Sequence, residues 1–83
     1  MKQVDLNTAE VQDPSQLLLV SSFMSDGRWH TIPQIAEHLR CPEASISARL
    51  RDLRKSKYGA HTVNRRYVAQ GLFAYQYVEN PSA

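Results

Sequence analysis

The residues from Ala44 to Lys55 carry the chemistry of contact rather than of bond-making. Ser45-Ile46-Ser47-Ala48-Arg49-Leu50-Arg51-Asp52-Leu53-Arg54-Lys55 reads as a helix with two faces. At about 100° per residue, Ile46, Leu50 and Leu53 fall on one narrow stripe that packs into a core. Ala44, Ala48, Arg51 and Lys55 fall on the opposite stripe, with Ser45 and Ser47 on its flanks. Small side chains let a helix backbone approach base edges in a DNA major groove. Hydroxyls bond phosphate oxygens or bases, and Arg and Lys reach either. Any soluble amphipathic helix shares this pattern, so its place in the chain carries the weight. It follows a short helix and precedes a basic, aromatic hairpin.

Charge is placed unevenly. The net charge is only +2, yet Arg40, Arg49, Arg51, Arg54, Lys55, Lys57, Arg65 and Arg66 face only Glu43 and Asp52 across one third of the chain. The first thirteen residues carry Lys2 against Asp5, Glu10 and Asp13. Such asymmetry implies a face for a polyanion, against the plainer reading of a solvated charged surface. Arg65 and Arg66 are successive strand residues and point to opposite faces. One can meet the ligand of the helix; the other caps the sheet or meets an acidic partner. Arg49 sits at the edge of the core stripe, which suits a packed stem with an exposed head as well as it suits a contact. Arg54 lies on the flank beside Ser47.

Other chemistry finds little support. His38 and Cys41 are three apart, but zinc takes three or four ligands, and His30 and His61 lack the spacing. There is no Gly-rich phosphate loop and no local nucleophile signature. The carboxylates are scattered, and several are explained as helix caps. No enzyme, metal or cofactor is expected.

The elements that must position these residues fit one small domain of 83 residues, with 42% apolar content for one modest core. Residues 1–12 lack sustained periodicity and read as a flexible tail, 13–79 as the domain, and 80–83 as a frayed end. Asp13-Pro14-Ser15-Gln16 signals a helix start, with Gln16 reaching back to the cap. That first helix runs to about Ser25 and stops at Asp26-Gly27. Trp29-His30-Thr31-Ile32 is a short extended link, and Thr31 with Pro33 and Gln34 opens a second helix over about 33–40. Cys41-Pro42 breaks it, and the third helix covers about 43–57. Residues 61–68 and 72–78 are rich in β-branched and aromatic types and form a hairpin turning at Ala69-Gln70-Gly71.

Trp29, the single Trp, is expected to anchor the core between the first helix and the sheet. Tyr67, Tyr75 and Tyr77 are expected to pack the hairpin; a base-stacking platform for single strands would use the same rings. Gln70 at the tip is a candidate for a minor groove, though that tip has no cation. No run of 18 apolar residues spans a membrane. The N-terminus lacks the apolar block of a signal peptide, and Cys41 is alone, so a cytoplasmic place is the natural expectation.

The order helix, short strand, helix, tight turn, helix, hairpin resembles the winged helix-turn-helix class. Ile35-Ala36-Glu37-His38-Leu39 resembles the I-A-x-x-L segment of many bacterial second helices. Ser45 to Leu53 resembles the S-V-S-x-x-L-x-x-L core of a recognition helix. The stretch SISARLRDLRKSKYGAHTVNRRYVAQGLFAYQYV resembles small helix-turn-helix proteins of bacteriophages and prophages, and the likeness covers roughly residues 15–78. It implies an α+β winged helix-turn-helix, three helices plus a C-terminal β-hairpin wing. It also implies double-stranded DNA as partner, a regulator of transcription in a bacterial host cell, and a homodimer on a pseudo-palindromic site. The DNA-binding residues would be Ala44, Ser45, Ser47, Ala48, Arg51, Lys55, Arg65 and Arg66. One departure is Ala48, where many such helices carry Arg, which removes a guanine contact worth roughly 1–3 kcal/mol of discrimination. The alternative is a winged helix reused to grip a host protein, an anti-CRISPR-like inhibitor of a defence or transcription complex.

Overall fold

Thr31 shows how closely local chemistry sets this fold. Its hydroxyl accepts from the Gln34 backbone N–H (3.3 Å), and its own N–H donates to Gln34 Oε1 (2.9 Å). This reciprocal capping box, with Pro33 in the first turn, starts helix α2 at Ile32. Arg40 ends it in the left-handed region, at φ 57°.

The computed structural model describes residues 14–82, so the expected tail at 1–12 and the cap at Asp13 lie outside the described residues. The elements are α1 (Pro14–Met24), β1 (His30–Thr31), α2 (Ile32–Leu39), α3 (Glu43–Leu53), one 3-10 turn (Ser56–Tyr58), β2 (Thr62–Ala69) and β3 (Leu72–Val78). The three strands form an antiparallel sheet in the order β1-β3-β2. The result is a small α+β domain of three helices and a three-stranded sheet.

The core is shared by every layer. Val20 and Met24 of α1, Ile35 and Ala36 of α2, Ile46, Leu50 and Leu53 of α3, and Val63 and Tyr77 of the hairpin are buried together. The stripe expected on α3 is therefore the one that packs. Val63 pairs with Tyr77, Arg65 with Tyr75 and Tyr67 with Phe73, so these pairs share the sheet face that carries the core. Asn64, Arg66, Ala74 and Gln76 share the other face. Gln70 (φ 51°) and Gly71 (φ 79°) both take positive φ at the tip, the requirement of a tight two-residue hairpin turn.

Two expectations are corrected. Helix α3 ends at Leu53 rather than Lys57: Lys55 turns to extended backbone (φ −77°, ψ 146°), and Leu53 O accepts from His61 N–H (2.8 Å). Gln16 Oε1 accepts from Arg49 Nη1 (3.0 Å), while its expected reach to the cap at Asp13 lies outside the described residues. Trp29 is half-buried rather than a core anchor, and the Arg66 guanidinium lies 4.4 Å from its ring centre. It precedes β1, outside the buried cluster, with the cation over its ring.

Gly59 makes the return from α3 to β2 possible. Its φ of 112° lies outside the reach of ordinary side chains, and a Cβ there would collide with the His61 ring. That ring is itself fixed, because Asn80 N–H donates to His61 Nδ1 (2.9 Å). Gly59→Ala is expected to cost about 1–3 kcal/mol. Thermal denaturation should show a Tm lower by about 4–8 °C per kcal/mol. An unchanged Tm would mean that this loop relaxes freely.

Candidate nucleic-acid interface

A short loop joins helix α3 to strand β2, and Arg54 of the helix end bonds Val63 of the strand. A trough forms between α3 and the hairpin, with two cavities along it. The cavity at the C-terminal half of α3, about 410 Å³, is lined by Ser47, Arg51 and Arg54 from the helix and Arg65 and Tyr75 from the hairpin. The cavity at the N-terminal end of α3, about 360 Å³, is lined by Ala44, Ser47, Ile32, Pro33, Leu72 and Phe73, with Glu43 at its edge.

The electrostatics of the first cavity follow from where the acid goes. Asp52 is the one carboxylate in the C-terminal half of α3, and it is buried on the flank facing α1. There it accepts from Arg49 Nε (3.0 Å) and pairs with Lys55 Nζ (3.2 Å). Gln16 of α1 takes the other end of the Arg49 guanidinium. Among the described residues, no carboxylate pairs with Arg51, Arg54 or Arg65. Arg54 Nη2 donates to Val63 O (2.6 Å), which ties helix to strand. The Arg65 guanidinium lies 4.5 Å from the Phe73 ring centre, a cation–π contact that orients it. Three cations thus converge on one cavity with no counterion among the described residues.

Among the described residues two groups have a clearly displaced acidity, and neither lines the trough. Burial pushes the Tyr77 phenol up, helped by the charge of Glu79. The Asp26 carboxyl is held below its usual value, first by the Arg28 backbone N–H and then by His30. Among the described residues, no three His, Cys, Asp or Glu side chains are grouped to hold a metal. No helix among them is long and apolar enough to cross a membrane.

The sequence-selected residues divide accordingly. Ala44, Ser47, Arg51 and Arg65 line the trough. Ser45 and Ala48 are half-buried on α3 and line neither cavity. Lys55 lies beyond the helix end and is engaged by Asp52, because α3 stops two residues before it. Arg66 lies on the opposite sheet face, over Trp29. Sequence reasoning passed over Arg54 as a trough residue. The signal was present, since Ser47 and Arg54 are seven apart and share a helical stripe. What was hidden is the Val63 carbonyl that turns Arg54 toward the strand.

The Arg-lined end of the trough suits an anionic chain. Phosphate oxygens accept well from guanidinium N–H groups, and Ser47 adds a neutral hydroxyl. Arg66→Ala is expected to shift Trp29 emission to longer wavelength, because the ring loses its cover, while leaving the trough intact. An unchanged emission spectrum would contradict the Arg66–Trp29 contact.

No protein-family model, curated protein or solved structure matches this chain.

Proposed function

We propose that this domain is a winged helix that binds double-stranded DNA, with α3 as recognition helix, the β2–β3 hairpin as wing, and no enzymatic activity. One observation carries the reading: Arg51, Arg54 and Arg65 line a single cavity between helix and hairpin, and among the described residues no carboxylate pairs with them. Cations arranged to release counterions from a phosphate chain are the electrostatic basis of duplex affinity. The helix order and the resemblance to small bacteriophage helix-turn-helix proteins support a regulator of transcription in a bacterial cytoplasm. The same reading places two copies on a two-fold site, each α3 entering the major groove of one half-site.

Within this reading the contacts are Ala44, Ser47, Arg51, Arg54 and Arg65. Lys55 and Arg66 fall outside it, because each is engaged elsewhere. The test is fluorescence anisotropy of a labelled mixed-sequence duplex, titrated with protein at rising salt. The expected result is binding that weakens steeply and linearly in log salt. Absence of binding at low salt would overturn the reading.

A second reading is favoured by one observation. The hairpin tip, Gln70 and Gly71, carries no cation, and Glu43 stands at the edge of the apolar cavity. A protein-binding winged helix, an inhibitor of a host defence or transcription complex, would use that end of the trough. It predicts a stoichiometric partner captured from host lysate that competes with no DNA.

A further inference from the structure

We propose that the apolar cavity at the N-terminal end of the trough reads the 5-methyl group of thymine, which makes thymine-containing duplex the preferred ligand. This inference rests on the duplex-binding reading above.

The two cavities share Ile32, Ser47 and Tyr75, so one ligand lying along α3 occupies both. Their linings differ in kind. The far cavity presents Arg51, Arg54 and Arg65. The near one presents Ala44, Pro33, Leu72 and Phe73, and its charged lining residue is Glu43. A phosphate is disfavoured there, because no cation lines the cavity and the Glu43 carboxylate repels an anion. The start of α3 offers little compensation: the Ser45 and Ile46 N–H groups both donate to Pro42 O (3.0 and 3.1 Å).

The matching ligand is therefore anionic along one edge and apolar at a point beside it. Duplex DNA supplies the first with its phosphates. On its major-groove base edges, the apolar group is the thymine methyl. Guanine offers two acceptors there and needs donors, which the Ala44, Pro33, Leu72 and Phe73 side chains do not provide.

The experiment uses the whole chain and duplexes that it selects from a mixed-sequence pool. Each selected duplex is remade with deoxyuridine for every thymidine, which deletes only the methyl groups. Burial of one methyl predicts a Kd about fourfold higher for the uracil form. Leu72→Ser, at an exposed rim position and checked for folding by circular dichroism, is expected to bring the ratio toward one. Equal affinities for the two forms would overturn methyl reading and leave duplex binding standing. A ratio unchanged by Leu72→Ser would overturn the assignment to this cavity. If no duplex is enriched and the pool shows no salt-dependent binding, the duplex reading falls and this inference with it.

Discussion

Asp52→Ala is expected to lower the free energy of unfolding by about 3–5 kcal/mol, the largest single effect in this domain. Asp52 and Arg49 are both buried, at 3% and 8% exposure, and each is the other's charge partner. Removing the carboxylate leaves the Arg49 guanidinium inside the fold with Gln16 Oε1 as its one remaining side-chain acceptor among the described residues. A buried charge without its partner carries a desolvation penalty that one amide oxygen does not offset. Small domains are marginally stable, with roughly 5–15 kcal/mol in all, so this loss approaches the whole margin. Urea denaturation followed by circular dichroism measures it. The double variant Arg49→Met with Asp52→Leu is expected to recover most of the loss, since replacing both partners leaves no orphan charge. If Asp52→Ala costs less than about 1 kcal/mol, the pair behaves as a surface ion pair and its burial carries no such weight.

The second large effect concerns the ligand. Arg51→Ala combined with Arg65→Ala is expected to raise the Kd for duplex by at least about tenfold, or about 1.4 kcal/mol. The same variant should flatten the salt dependence by nearly two phosphate contacts, each worth a slope of about 0.9. These two arginines come from different elements, so the result tests helix and hairpin acting as one surface. Neither makes a salt bridge within the described fold, so the fold should survive their loss. Arg54 is left in place because its bond to Val63 O also holds α3 to β2. A variant that binds with parental affinity and slope would remove the trough from the account.

Much of the fold was legible because local signals and the core pattern agreed. Thr31 with Gln34 spelled a capping box, and the box formed. Ile46, Leu50 and Leu53 share a helical stripe, and that stripe is buried. The hairpin turn was readable from Gly71 in a run of β-formers. The failures have one cause: partners distant in sequence. Nothing near Lys55 announces that His61 will take the Leu53 carbonyl and end the helix. Nothing near Trp29 points to Arg66, thirty-seven positions on, which covers it. Arg49 looked like a residue with a solvated head until Gln16 supplied its acceptor across the α1–α3 contact.

The candidate site was legible in its residue types and less so in its membership. A helical stripe predicts which side chains share a face; it does not predict which neighbouring strand that face meets. Arg65 was one of two candidates from the hairpin, and register decides between them. Its pairing with Tyr75 puts it on the α3 side, while Arg66, paired with Ala74, goes to the other. Lys55 was counted on the stripe only because the helix was expected to continue past Leu53.

The central claim is that α3 and the hairpin form one surface for duplex DNA. Backbone amide chemical-shift mapping of the whole chain, as a mixed-sequence duplex is added at low salt, tests it most directly. The account predicts that shifts concentrate in Glu43 to Arg54 and in Arg65 to Phe73, and that the exposed Leu18 and Leu19 of α1 stay unperturbed. Shifts confined to α1 or to the sheet face of Trp29 and Asn64, or no shifts at all, would contradict it.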